Sequence, residues 1–188
     1  MVAEWEDTGE ALLLRGQKAW DVGNLPDAET AFRRLVEEFP DRPEGYNKIG
    51  VVFAETGHLA EAQQYFLRAL AQDRHYAPAL TNLGNIHLER GDAQQAIQHY
   101  LLALQSDPEY PPAHRNLGVA YRRMGKYSAY VSHYKRSQRL DNRRARDELR
   151  RQHRGQASAP VRRLLAPSYL WMILAVVGIV IILSVVHR

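Results

Sequence analysis

Glycine recurs in this chain with a fixed period of 34 residues, over four copies and without insertion or deletion. One column holds Gly16, Gly50, Gly84 and Gly118, and a second column holds Gly23, Gly57, Gly91 and Gly125. Further columns hold Ala28, Ala62, Ala96 and Tyr130; Phe32, Phe66, Tyr100 and Tyr134; and Pro40, Arg74, Pro108 and Asn142. A period of this length indicates that each copy is one supersecondary unit of a repeat architecture. The copies are residues 9–42, 43–76, 77–110 and 111–144.

Apolar residues within a copy fall at helical spacings on both sides of a short polar stretch. In the second copy, Ile49 and Phe53 precede the turn at Gly57, and Ala62 and Phe66 follow it. Glycine supplies the turn conformation, and the small residues let the two helices of a copy approach each other. One helix pair cannot bury both of its faces, so neighbouring copies must stack. The sequence therefore predicts an all-α solenoid of four repeats and eight antiparallel helices.

These columns resemble the tetratricopeptide repeat, whose pattern is W-x2-L-G-x2-Y, then A-x3-F and a closing proline. The second copy matches it with Tyr46-x2-Ile49-Gly50-x2-Phe53, and the third with Leu80-x2-Leu83-Gly84-x2-His87 and Pro108. The first copy departs at Arg15, and the fourth departs at Tyr130 and Asn142, as terminal repeats do. The resemblance implies a protein that binds an extended peptide or a helix in a groove lined by the first helix of each copy.

Residues 168–186 form an uncharged apolar segment near the end of the chain. Its nineteen residues would make a helix of about 28 Å, close to the thickness of the hydrocarbon core of a bilayer. A buried core helix is disfavoured because the segment has no polar face, and a removable lipid-anchor signal is disfavoured because the acidic start of the chain does not resemble a secretory signal. We therefore expect a single C-terminal transmembrane helix, as in tail-anchored proteins.

The charge distribution predicts which way this helix is oriented. Residues 1–110 carry 9 Lys and Arg against 18 Asp and Glu, whereas residues 111–188 carry 16 against 3. Eight arginines of residues 143–163 precede the apolar segment, and only Arg188 follows it, so the positive-inside rule places the repeats in the cytosol. Arg outnumbers Lys 21 to 4, which favours a bacterial inner membrane over an organelle outer membrane.

The remaining segments are predicted to join the repeats to the membrane. Residues 1–8 are a lead-in, residues 145–154 a basic, polar capping helix, and residues 155–167 a juxtamembrane linker. We expect Arg162, Arg163, Tyr169 and Trp171 to contact the membrane surface. For the arginine-rich stretch, anionic lipid is favoured over nucleic acid because residues 143–163 contain no Phe, Tyr or Trp for base stacking. A solvated face, or an acidic partner on the basic last repeat, stays open.

No feature of the sequence indicates catalysis. The chain has no cysteine and lacks the phosphate-binding, dinucleotide-binding, metalloprotease and nucleophile-elbow motifs. His99 and His133 share one repeat column, but equivalent helices pack roughly 10 Å apart, too far for two imidazoles alone to hold one ion. The sequence therefore predicts no enzyme activity, no cofactor and no metal site.

Asparagines are the candidate binding residues of the first helices. Asn82 and Asn116 share a column, and Asn47 and Asn85 lie close to it. Asn costs up to roughly 0.7 kcal/mol relative to Ala inside a helix, and its amide can both donate to and accept from a ligand backbone. A solvated polar face is the alternative. Lys48, Arg115 and Arg122 complete the predicted groove, and the two arginines would pair with a carboxylate of the ligand.

The function expected from these features is a membrane-anchored scaffold or adaptor that recruits or assembles partner proteins at the cytosolic face. The alternative is an integral accessory subunit of a membrane complex, whose transmembrane helix packs against other subunits.

Overall fold

The computed structural model describes residues 8–157 of the 188-residue chain, and the side chains of residues 8–153. This part of the chain contains eight helices and no strand. The helices are α1 (Gly9–Asp21), α2 (Leu25–Glu38), α3 (Pro43–Glu55), α4 (Leu59–Gln72), α5 (Ala77–Glu89), α6 (Ala93–Ser106), α7 (Pro111–Arg123) and α8 (Tyr127–Ala157). The chain divides after Asn142 into two compact units, and the first unit contains α1 to α7 and the first half of α8.

Each helix pair turns at a glycine of the second column. Gly23, Gly57, Gly91 and Gly125 have φ angles of 74–86°, a region that glycine enters without the steric cost of a Cβ atom. In the second copy, the N–H of Gly57 donates to the carbonyl of Ala54 at 3.1 Å, and the N–H of His58 donates to that of Phe53 at 2.8 Å. These bonds satisfy carbonyls at the end of α3 and reverse the chain into α4.

Glycines of the first column let an aromatic ring fill the space between the two helices of a copy. Phe32, Phe66 and Tyr100 are each at most 1% exposed. A Cβ atom on Gly84 would stand 2.4 Å from the ring of Tyr100, a separation at which the two groups would overlap. The structure thus confirms the predicted close approach of the paired helices.

Helix α8 is longer than the sequence analysis predicted, because residues 145–154 continue it and do not form a separate capping helix. Asp73 and Asp107 end the equivalent helices of the second and third copies, and each accepts a bond from the backbone N–H two residues later, at 2.9 Å. The aligned residue of the last copy, Asp141, lies inside α8 and accepts from the side chains of Arg115 and Ser137. No proline occurs between Pro112 and Pro160, so nothing in the covalent chain interrupts the helix there.

The predicted membrane contacts lie outside the part of the chain that the structure describes. These are the apolar segment at residues 168–186 and the surface residues Arg162, Arg163, Tyr169 and Trp171. Within residues 8–157, every helix is either too short or too polar to span a bilayer. Helix α8 reaches Ala157, so its last residues overlap the start of the predicted linker at 155–167.

Candidate binding groove

The first helices of neighbouring copies lie beside one another, with α3 in contact with α5 and α5 in contact with α7. Side-chain amides link them. Asn82 Nδ2 donates to Asn47 Oδ1 at 2.9 Å, and Asn116 Nδ2 donates to Asn85 Oδ1 at 2.7 Å. Within α5, Asn85 Nδ2 lies 3.4 Å from Asn82 Oδ1. We call these four residues the amide ladder.

A buried tyrosine anchors the amide ladder to the core. The hydroxyl of Tyr100 donates to Asn85 Oδ1 at 2.9 Å, so this oxygen accepts bonds from two different helices. Burial raises the pKa of the Tyr100 hydroxyl, which keeps it protonated as a donor. The sequence predicted the four asparagines as ligand contacts, and the structure shows that they also hold neighbouring repeats together. A hydrogen bond across a repeat joint stabilises the fold and offsets the low helix propensity of Asn, so no ligand is needed to explain these residues.

Lys48 belongs to the joint between the first two copies. Its ammonium donates to Gln17 Oε1 and lies 5.0 Å from the ring centroid of Trp20. Partial burial lowers the pKa of Lys48, because desolvation disfavours the charged form. The indole N–H of Trp20 in turn donates to Glu55 at 2.6 Å. These contacts tie Lys48 to the polar network between α1 and α3.

Two cavities open beside the amide ladder. One of about 260 Å³ is lined by Val51, Phe66, Asn82, Asn85, Glu55 and Glu89, among others. The second, of about 310 Å³, shares Asn85 and Glu89 and adds Asn116, Val119 and Arg123. The groove thus combines an apolar floor with amides and two exposed carboxylates. Cavities of this character suit short side chains of an extended ligand, with polar groups to orient them.

The predicted arginines lie towards α8 and not in these cavities. Arg115 Nη2 forms an ion pair with Asp141 Oδ2 at 2.7 Å, and the guanidinium of Arg122 lies 5.5 Å from the ring centroid of Tyr130. The cation that lines the second cavity is Arg123, whose Nη1 donates to the carbonyl of Leu88. Arg123 is not among the residues predicted from the sequence. Its repeat column reads Asp21, Glu55, Glu89 and Arg123, which marks a polar position in every copy.

Histidines pair within copies. The rings of His87 and His99 stack with centroids 5.0 Å apart, and Nδ1 of His114 lies 3.0 Å from Nδ1 of His133. Partial burial, followed in size by the neighbouring imidazole, lowers the pKa of both His99 and His133. No cluster of three or more potential metal ligands occurs among the described residues. Each pair lies between the two helices of one copy.

The fold and the groove define a helical repeat protein of the kind that binds other proteins. Models of the tetratricopeptide repeat match residues 13–77, 65–98 and 113–146, and a fourth, described as a TPR repeat, matches residues 84–125. Together they cover all four copies of the 34-residue unit. The chain is a tetratricopeptide repeat protein.

Solved structures of other repeat proteins resemble it. The crystal structure of MamA is 24% identical with a TM-score of 0.58, covering 74% of this chain and 82% of that one, and it shows the fold alone. The Pseudomonas aeruginosa pilF protein is 27% identical with a TM-score of 0.64, covering 71% of this chain and 61% of that one. Among curated protein sequences, none matches the chain.

One resemblance is to part of an enzyme. A Thermobaculum terrenum O-GlcNAc transferase mutant is 30% identical with a TM-score of 0.57, covering 64% of this chain. The match covers only 23% of the transferase chain. Tetratricopeptide repeats are in general scaffolds without catalytic activity. A match to 23% of the transferase chain gives no ground for assigning its activity to this chain.

Proposed function

We propose that the protein is a membrane-anchored scaffold that binds an extended segment of a partner protein in the groove of α1, α3, α5 and α7. The observation that carries this proposal is the pair of adjoining cavities that share Asn85 and Glu89. They follow one another along the first helices, so a single extended segment can fill both. The amide ladder leaves one N–H of Asn82 and the Oδ1 of Asn116 outside its own bonds, and these atoms are available to a ligand backbone.

The charged residues of the groove favour a ligand with a basic side chain at one position and an acidic group at another. Glu55 and Glu89 line the first cavity, and the second is lined by Glu89 and Arg123. A ligand with a Lys or Arg side chain in the first cavity and a carboxylate near Arg123 would match both charges. This differs from the sequence argument, which assigned the ligand carboxylate to Arg115 and Arg122. Both of those side chains already contact α8.

Charge reversal at Glu89 tests the groove. Glu89 is exposed and makes no bond to a described residue, so Glu89→Lys leaves the fold intact. We expect it to reduce the amount of partner that copurifies with the full chain in mild detergent by about tenfold, the loss typical of an unfavourable charge in a binding site. Glu61→Lys on α4 is the matched control, because Glu61 is also exposed and lies outside both cavities. Equal recovery with both variants would place the binding site elsewhere.

The apolar segment at residues 168–186 supports the anchoring part of the proposal. We expect truncation after Arg163 to release a helical protein into the soluble fraction, because the deleted residues are the ones that require lipid. Quantitative blotting of carbonate-washed membranes measures this, with the full chain as the control. Retention of the truncated chain in the membrane pellet would contradict the anchor. Protease added to the cytosolic side of sealed membranes should digest the repeats if the arginine flank sets the orientation.

The alternative function is that of a permanent accessory subunit of a membrane complex. The nineteen-residue apolar segment favours it equally, since such a helix can pack against other transmembrane helices. Blue-native electrophoresis distinguishes the two functions. A recruiting scaffold migrates largely on its own, whereas a subunit comigrates with its complex.

A further inference from the structure

Helix α6 packs against the first helix of the next repeat, α7. Its Ala93, Ile97, Tyr100 and Leu104 pack in one cluster with Leu117 and Ala120 of α7. These four residues form a stripe along α6 with the i, i+4, i+7, i+11 spacing of a helix face. The first helix of the fourth copy covers this stripe.

No helix of residues 8–157 covers the same stripe on α8. The residues 34 positions later are Tyr127, Val131, Tyr134 and Gln138, and the first three are 65%, 43% and 39% exposed. We call these four residues the end face. Tyr134 occupies the column of Tyr100, which is 0% exposed. The loss of a covering neighbour therefore leaves two tyrosines and a valine in solvent, where a terminal repeat usually carries a polar surface.

The opposite end of the stack lacks such a surface. Arg15 and Lys18 of α1 are exposed, and they occupy the columns of Leu83 and Ile86, which are buried in α5. Charged residues thus replace apolar ones at the start of the stack but not at its end. The exposed apolar residues of the end face are therefore not a general consequence of ending a series of repeats.

Two lysines adjoin the end face in the sequence, Lys126 before Tyr127 and Lys135 after Tyr134. Arg122, Lys126 and Lys135 are all exposed on α7, the turn and α8. Lys135 is four residues from Val131 and forms no ion pair within the described residues. The nearby carboxylate of Asp141 is already paired with Arg115. Tyrosine and arginine are also the residue types most enriched at the energetic centres of protein interfaces.

We propose that the end face binds an acidic amphipathic helix of a partner protein, in the place that the first helix of a fifth repeat would take. This interaction is separate from the groove and does not depend on it. The apolar side of the helix packs on Tyr127, Val131 and Tyr134, as α7 packs on α6. Asp or Glu residues on its flanks pair with Lys126 and Lys135, which are exposed and directly precede Tyr127 and follow Tyr134 in the sequence.

Charge discriminates among the occupants that this chain itself offers. A second copy stacking through α8 brings two basic surfaces together. A second copy stacking head to tail brings Arg15 and Lys18 towards the end face together with acidic residues of the same end, Glu10 among them, and ultracentrifugation of the full chain tests that arrangement. Residues 158–188 contain no Asp or Glu, so they cannot supply the complementary charge. An acidic helix from another protein is the occupant that satisfies both the apolar stripe and its basic border.

A designed peptide tests the proposal. The probe is an alanine-rich helix of about 18 residues, long enough for measurable helicity, with Leu and Tyr at the positions that α7 uses against α6 and Glu on both flanks. The control peptide carries Lys in place of every Glu. Binding of each labelled peptide to the full chain in mild detergent is measured by fluorescence anisotropy. We expect the Glu peptide to bind at least about tenfold more tightly than the Lys peptide.

Variants of the chain locate the binding site. Tyr134→Ala removes apolar contact and Lys135→Glu reverses a border charge, and each should weaken binding of the Glu peptide by about tenfold or more. Lys135→Glu should at the same time strengthen binding of the Lys peptide. Arg74→Glu is the matched control, because Arg74 is exposed and lies at the end of the second copy. Circular dichroism verifies that each variant keeps its helix content.

Three results would overturn the proposal. The first is an absence of binding by the Glu peptide. The second is binding that survives both Tyr134→Ala and Lys135→Glu, which indicates partition into detergent. The third is a dimer of the full chain that Val131→Asp dissociates in analytical ultracentrifugation, which assigns the end face to a second copy.

Discussion

Gly84→Ala is expected to lower the free energy of unfolding by about 2 kcal/mol, the cost of forcing an extra methyl group into a packed core. The new Cβ atom would stand 2.4 Å from Cε1 of Tyr100. That ring is 0% exposed and its hydroxyl is bonded to Asn85, so it cannot move aside without breaking the bond. In an open helix the same substitution stabilises by about 1 kcal/mol. Urea denaturation of the full chain in mild detergent, followed by circular dichroism, measures the difference.

Gly118→Ala is the matched control, in the same repeat column. Here a Cβ atom would meet the carbonyl oxygen of Tyr130 at 3.3 Å, and the aromatic ring of this copy, on Tyr134, is 39% exposed. We expect a change of less than about 1 kcal/mol, because the gain in helix propensity offsets the tighter contact. Equal destabilisation by the two substitutions would mean that the ring of the second helix does not determine the need for glycine.

The repeat period was sufficient to predict the core. A strict 34-residue spacing assigns every column the same environment, so the glycine column of the first helices predicts a close approach of the two helices in every copy. The ring that meets each glycine, such as Tyr100 at Gly84, is seen only in the structure. The four turn glycines follow from the same argument, since each must reverse the chain after a helix. Periodicity of this kind reports burial and backbone conformation, both of which repeat with the sequence.

The length of α8 could not be predicted in the same way. The departure of Asn142 from the proline column predicts a terminal cap, and the basic residues after it predict a separate capping helix. What decides the outcome is that Asp141 accepts bonds from Arg115 and Ser137 instead of closing a turn as Asp107 does. Such a choice depends on contacts with α7, which the sequence of α8 alone does not specify.

The sequence placed the asparagines on the first helices but did not predict the bonds between them. Helical spacing placed Asn47, Asn82, Asn85 and Asn116 on the first helices. The distances that make them partners of one another arise from the stacking of neighbouring copies, which no single copy encodes. For the same reason, the sequence predicts contacts of Arg115 and Arg122 with a ligand carboxylate, whereas the structure brings Glu89 and Arg123 to the cavities.

Asn85→Val is expected to destabilise the fold by about 2 kcal/mol, because Oδ1 of Asn85 accepts from both Tyr100 and Asn116. Valine is the residue that the second and fourth copies carry in this column, at Val51 and Val119, and its helix propensity is close to that of asparagine. The substitution therefore removes the hydrogen bonds without a large change in helix propensity. Leaving a buried donor without its acceptor costs about 1–3 kcal/mol, and the Tyr100 hydroxyl is such a donor.

A double-mutant cycle with Tyr100→Phe tests whether the bond between these two side chains is responsible. Phenylalanine is the residue of this column in the first and second copies, at Phe32 and Phe66, so the double variant reproduces the pairing of Val51 with Phe66. We expect Tyr100→Phe alone to cost about 1 kcal/mol. The double variant should be more stable than the sum of the single effects predicts, by about 1 kcal/mol, because it no longer buries an unpaired hydroxyl. Additive effects would show that Tyr100 and Asn85 are not coupled and that the amide ladder is not anchored to the core.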